Sequence, residues 1–132
     1  MKRSGHCLCG AVCFEVSQDP QHVVLCHCGD CRRSAGAPMV SWGAFPEASL
    51  TVTKGEPKTI HSSALGVRSF CGNCGTGLFY RNEKVLPGIV DIQTATFDDP
   101  NGLPPMIHIQ TAERLTWLPS IGDLPEFERY PG

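Results

Sequence analysis

The residues best suited to do chemistry are seven cysteines gathered into three short clusters. Cys7 and Cys9 form C-x-C, Cys26, Cys28 and Cys31 form C-x-C-x-x-C, and Cys71 and Cys74 form C-x-x-C inside "FCGNCGTG". Sulfurs this close in sequence are poorly placed for a disulfide framework and well placed to share a metal ion. Gly72, Gly75 and Gly77 let the last cluster curl so that backbone amides face the sulfurs, as in a zinc knuckle. The eighth cysteine, Cys13, stands alone in a strand-like run, where a small buried side chain is the simpler role.

Seven thiolates divide as four plus three. A structural zinc takes four protein ligands in a closed tetrahedron, whereas a catalytic zinc keeps three and leaves one position for water or substrate. Cys7 and Cys9 can combine with Cys71 and Cys74, which leaves Cys26, Cys28 and Cys31 one ligand short. Other divisions stay open. Cys13, His27 or His108 can close the second set as an eighth ligand, although His27 sits between two ligands and its side chain is expected to point away. A metal-free redox loop is a further alternative. Against it, C-x-C-x-x-C here lacks the usual redox setting at a helix N-terminus after a βαβ strand. A zinc held by three thiolates is soft and electron-rich, so it suits a substrate sulfur better than amide hydrolysis. No carboxylate or histidine identifies itself as an acid or base.

The elements that must hold these clusters read as short strands. In "AVCFEV", Val12, Phe14 and Val16 alternate with Ala11, Cys13 and Glu15, the pattern of a half-buried strand. "HVVLC" runs directly into the three-cysteine loop, and "MVSWGAF", "LTVTK", "TIHSS", "VRSFC", "TGLFYR", "IVDIQTATF" and "MIHIQTA" continue the series. "CRRSAG" suits one helical turn and "ERLTWL" a short helix. Leu124, Phe127 and Tyr130 are expected to pack the irregular tail onto the body. Trp42 and Phe45 are expected in the core, close enough to the three-cysteine loop to wall a pocket.

With 132 residues, 41% hydrophobic and 18% charged, the chain has the composition of a globular protein and is predicted to form one domain over residues 1–132. "MKRSGHC" has no apolar stretch behind its basic residues, so no signal peptide is expected. A cytoplasmic location, where thiols stay reduced, agrees with the cysteine usage. No run reaches membrane-spanning length. The formal net charge is −2 and Arg32 and Arg33 are an isolated basic pair, which argues against nucleic acid or an anionic membrane as partner. Seven thiolates around two Zn²⁺ would make the protein about three charges more negative still.

These segments together resemble the glutathione-dependent formaldehyde-activating enzyme family, which includes centromere-protein-V-like members. The resemblance begins with "CLCGAVCFEV", is sharpest in "CHCGDCRRSAGAPMVSWGAFP", and continues through "VRSFCGNCGTGLFY", "TFDDPNGLPPMIHIQT", "LTWL" and "DLPEF". It implies a mainly β, tent-like fold (Mss4-like) stapled by zinc. It implies a structural zinc on Cys7, Cys9, Cys71 and Cys74, and an exchangeable open-site zinc on Cys26, Cys28 and Cys31. The pairing of the clusters comes from the family, since spacing does not settle it. The implied activity is that of a carbon–sulfur lyase acting on a thiol–aldehyde adduct, with a glutathione-type thiol as partner. The centromere-protein-V-like members imply an alternative, a non-enzymatic zinc-stapled interaction module. Cys13 and His61 fall outside the family's pattern.

Overall fold

The computed structural model describes residues 2–132, among which there are ten short strands and one α-helix. The strands β1 (Arg3–His6), β2 (Cys13–Val16) and β3 (His22–Cys26) come first, followed by the helix α1 (Gly29–Ala35). Next come β4 (Val40–Pro46), β5 (Leu50–Lys54), β6 (Lys58–His61) and β7 (Val67–Phe70). The series ends with β8 (Gly77–Arg81), β9 (Ile89–Gln93) and β10 (Ile107–Ile109). One sheet has the order β1-β2-β5, the other β10-β3-β4-β9-β8-β7-β6. All pairings are antiparallel except β10 with β3. The mainly β expectation holds.

Side-chain alternation sorts the large sheet into two faces. Val23, Phe45, Phe79, Val90 and Ile92 point into the main core with Phe14 and Val16 of the small sheet. Phe14 joins the sheets: its ring meets Phe79 edge-on at 5.3 Å and Phe97 at 5.2 Å. Val24, Cys26, Val40 and Trp42 point the other way and form a second cluster with Cys31. "HVVLC" reads as nearly continuous apolar sequence because β3 is covered on both faces. The outer strands β5 and β6 carry Lys54 and Lys58 and are largely exposed, as sheet edges need to be.

Two local expectations are overturned, and one strand is added. "ERLTWL" is not a helix. Thr111–Glu113 and Leu118–Asp123 are separate 3₁₀ segments with a turn between them. A helix running on from Glu113 would place Pro119 against the carbonyl of Leu115, so the chain restarts with proline in its first turn. Leu124, Phe127 and Tyr130 do not pack on the body; they are 61%, 61% and 94% exposed. Beyond Leu124 the tail joins neither sheet, and Pro125 and Pro131 take amide donors away from any pairing. The strand β1, "RSGH", went unforeseen because it has no apolar alternation; its register with Cys13–Val16 creates it. No helix is long and apolar enough to cross a membrane among the described residues.

Candidate metal centres

Two tight turns bring the outer clusters together. After β1, the Cys7 amide donates to the Val12 carbonyl at 3.0 Å and the Gly10 amide to the Cys7 carbonyl at 3.1 Å. Between β7 and β8, the Cys71 amide donates to Thr76 at 2.9 Å and the Gly75 amide to Cys71 at 2.8 Å. Gly75 has φ +84°, a left-handed conformation that favours glycine. The Leu8 amide reaches across to the Thr76 hydroxyl at 3.0 Å and ties the two turns. The sulfurs of Cys7, Cys9, Cys71 and Cys74 all lie within 4.8 Å of one another, with Cys7 to Cys9 at 3.7 Å and Cys9 to Cys71 at 3.8 Å. A tetrahedral zinc with Zn–S of about 2.3 Å needs sulfurs about 3.8 Å apart, so the spacing fits.

Hydrogen-bond donors face these sulfurs. The Val12 amide lies 3.3 Å from Cys7 Sγ, the Cys74 amide 3.5 Å from Cys71 Sγ, and the Asn73 side-chain amide 3.3 Å from Cys9 Sγ. The Thr76 hydroxyl, with backbone amides beside it, pulls the Cys74 thiol down to about 5. Burial works upward on Cys7, but the Val12 amide and the neighbouring thiols outweigh it and its pKa falls. Such donors favour the thiolate at Cys74 and Cys7, whereas at Cys71 the Cys74 and Asn73 amides are outweighed by burial and the neighbouring thiols, and its pKa rises.

The middle cluster is local. Cys26 ends β3, Cys28 caps α1, and Cys31 lies in its first turn. Cys28 Sγ accepts the Cys31 amide at 3.3 Å, and Gly36 closes the helix with φ +64°. The loop therefore does sit at a helix N-terminus, contrary to the sequence reading, although the strand before it runs antiparallel to its neighbour β4. The three sulfurs lie within 4.8 Å of one another. Burial pushes the Cys26 thiol up to about 12 and raises Cys31 too, so an incoming metal must displace protons here.

The candidates for an eighth ligand lie elsewhere. Cys13 Sγ donates to the Gly10 carbonyl at 3.4 Å. His27 is buried, and its Nε2 shares a hydrogen bond with His108 Nδ1 at 2.8 Å. Among the described residues no other His, Cys, Asp or Glu joins the three sulfurs. The donor set is three soft sulfurs, and it suits a thiophilic ion such as zinc.

These sulfurs line a cavity of about 470 Å³ shared with Trp42, Arg68, Tyr80 and Asp91. Trp42 walls it, whereas Phe45 belongs to the main core. Arg68 is buried without an ion-pair partner among the described residues. Its guanidinium lies 4.7 Å from the Tyr80 ring centre, donates to Ser34 and Ser62 at 3.1 and 3.0 Å, and reaches Cys31 Sγ at 3.8 Å. A positive charge held there offsets the thiolates. Sequence reasoning missed Arg68, Tyr80 and Asp91. The available signal was period-two alternation, which sets Asp91 opposite the core residues Val90 and Ile92.

Burial pushes the Asp91 carboxyl up from 3.8 to about 7. The folded chain then holds a proton that the unfolded chain has released across that interval. Asp91 should therefore make stability fall as pH rises from about 4 to about 7, by at most about 1.4 kcal/mol per unit, with no further change above. Asp91→Asn should remove this contribution. Denaturant titrations of both proteins across the window check it, because metal and thiol effects common to both cancel. Parallel pH curves would refute it.

The geometry can be set beside known proteins. Residues 2–113 match the glutathione-dependent formaldehyde-activating enzyme family. A Schizosaccharomyces pombe protein named as an uncharacterized lyase is 30% identical over 76 residues, covering 58% of this chain and 55% of that protein. A Podospora anserina protein named for glutathione-dependent formaldehyde activation is 34% identical over 85 residues, covering 61% of this chain and 40% of that one. The chain thus spans only about half the length of these relatives. The crystal structure of a Rhodobacter sphaeroides protein superposes with a TM-score of 0.64 over 80% of this chain and 98% of its own, at 20% identity, which speaks to the fold alone. The family match runs through all seven clustered cysteines, and so the chain belongs to the glutathione-dependent formaldehyde-activating enzyme family.

Proposed function

We propose that this protein is a carbon–sulfur lyase acting on the adduct of a glutathione-type thiol with a small aldehyde. One observation carries the reading: three convergent sulfurs, with no fourth ligand among the described residues, line a ligand-sized cavity. Family membership and the names of the two relatives support it. On this reading Cys7, Cys9, Cys71 and Cys74 hold a structural zinc, and Cys26, Cys28 and Cys31 hold a second zinc with an open position. That second ion supplies soft Lewis acidity toward a substrate sulfur.

The chain's own residues do the rest. Trp42 and the Tyr80 ring supply apolar walls, and Arg68 keeps a fixed positive charge beside Cys31. In the adduct R–S–CH₂–OH the carbon–sulfur bond breaks with its electron pair passing to sulfur. The hydroxyl gives up its proton and becomes the carbonyl of formaldehyde. The reverse direction joins thiolate and aldehyde and returns that proton to oxygen.

Exchange NMR between hydrated formaldehyde and S-hydroxymethylglutathione tests the proposal. The zinc-loaded protein should raise the exchange rate well above buffer. A glutathione analogue with methylene in place of sulfur should neither bind comparably nor inhibit. Background exchange together with no thiol binding would remove the lyase reading and favour the interaction-module alternative.

A further inference from the structure

Making or breaking a hemithioacetal moves one proton, and the sulfur cluster contains no group suited to carry it. The following inference rests on the lyase reading above. In β9 the side chains of Val90 and Ile92 enter the main core, which leaves Asp91 on the opposite face with Trp42 and Tyr80. The register makes the position specific. Asp91 pairs with Ala44 of β4 on one side and Tyr80 of β8 on the other. Tyr80 in turn pairs with Arg68 of β7, and Ala44 with His22 of β3. One row across the sheet thus reads His22, Ala44, Asp91, Tyr80, Arg68.

Two other carboxylates line the same cavity, and neither is comparable. Asp30 is exposed in the first turn of α1. Glu113 is exposed, and its Oε1 accepts the Gly29 amide at 3.0 Å. Asp91 is half-buried and makes no hydrogen bond or ion pair with the described residues. Arg68, the nearest fixed charge along the row, is engaged with Tyr80, Ser34, Ser62 and Cys31. The ionisable groups that line the cavity with Asp91 are Tyr80 from β8, Arg68 from β7, His22 from β3, Asp30, Glu113 and the three cysteines. β4 presents only Ala44 and Trp42, and the neighbouring loop presents Val85 and Leu86.

We propose that Asp91 is the acid–base group of this cavity. As a carboxylate it accepts the proton of the entering thiol or of the adduct hydroxyl. As the acid it returns that proton to the aldehyde oxygen when the carbon–sulfur bond forms. Proton and electrons balance: RSH and Asp91 carboxylate become thiolate and Asp91 acid, and thiolate with CH₂O and Asp91 acid become R–S–CH₂–OH and Asp91 carboxylate. Burial without a partner holds this carboxyl at about 7, where one group can serve in both directions.

The test uses the zinc-loaded full chain and glutathione, with two readouts. Calorimetry gives the glutathione affinity of the wild type and of Asp91→Asn. In the formaldehyde exchange assay Asp91→Asn should lose about 10²- to 10⁴-fold in kcat with thiol affinity little changed. The pH limb near 7 should vanish, and Asp91→Glu should restore part of the rate. An unchanged rate and pH profile in an Asp91→Asn protein that binds thiol would overturn the proposal. Wild-type protein that binds thiol but never exchanges formaldehyde would defeat the lyase reading and the role of Asp91 with it, whereas an active wild type matched by Asp91→Asn removes the role of Asp91 alone. If glutathione does not bind at all, both fall.

Discussion

Cys7→Ala is expected to leave little folded protein. The Cys7 side chain is fully buried in the main core and its sulfur faces three others from turns far apart in sequence. A metal held by that set joins the turn after β1 to the hairpin between β7 and β8, and with them the small sheet to the large one. Structural zinc sites contribute on the order of 10 kcal/mol in small domains, comparable to the whole margin of a typical fold. Loss of a core side chain adds to the effect. Circular dichroism with metal analysis should show an unfolded or aggregated variant, and a strong chelator should produce the same state from the wild type. A Cys7→Ala protein that melts like the wild type with two metal ions bound would contradict the assignment.

Cys28→Ala should behave quite differently. It should fold, bind about one metal ion fewer, and show neither thiol binding nor formaldehyde exchange above background. The reason is that Cys26, Cys28 and Cys31 close only a short local loop, so a metal held by them would constrain little of the chain. A modest loss of about 1 kcal/mol should remain, because Cys28 also caps α1 by accepting the Cys31 amide at 3.3 Å. Cys28→Ser separates the two roles: a hydroxyl can keep the cap but replaces a ligand sulfur, so stability should recover while activity stays lost. Mild chelation of the wild type should remove this ion first. Simultaneous loss of both ions with unfolding would erase the distinction between the two centres.

Legibility in the sequence followed how local each feature is. Strands whose own side chains alternate, such as that of Phe14 and Val16, could be read directly, and so could cysteines packed two or three to a turn. β1 could not, because Arg3, Ser4 and His6 form a strand only when Cys13–Val16 lies alongside. Gly5 permits that contact, since a Cβ there would meet the Phe14 ring at 2.5 Å. The tail was misread because Leu124, Phe127 and Tyr130 are apolar while their backbone has nothing to pair with. Arg68, Tyr80 and Asp91 were invisible as a group for a related reason. They lie on three different strands and meet only through register, which a single sequence does not state.

The separation of the two centres along the chain also has a consequence in time. Cys9 and Cys71 lie 62 residues apart, whereas the three-cysteine loop is complete soon after Cys31 leaves the ribosome. At about 5–20 residues per second, Cys7 and Cys9 wait several seconds for their partners. From the emergence of Cys31 until that of Cys71, the other clustered thiols available to them are Cys26, Cys28 and Cys31. A metal ion arriving then meets five cysteines that can form a wrong set of four. On the proposed pair of zinc centres, the nascent chain would therefore be more exposed to mismetallation than the finished one, and correct filling would depend on thiolate exchange once the hairpin carrying Cys71 and Cys74 emerges.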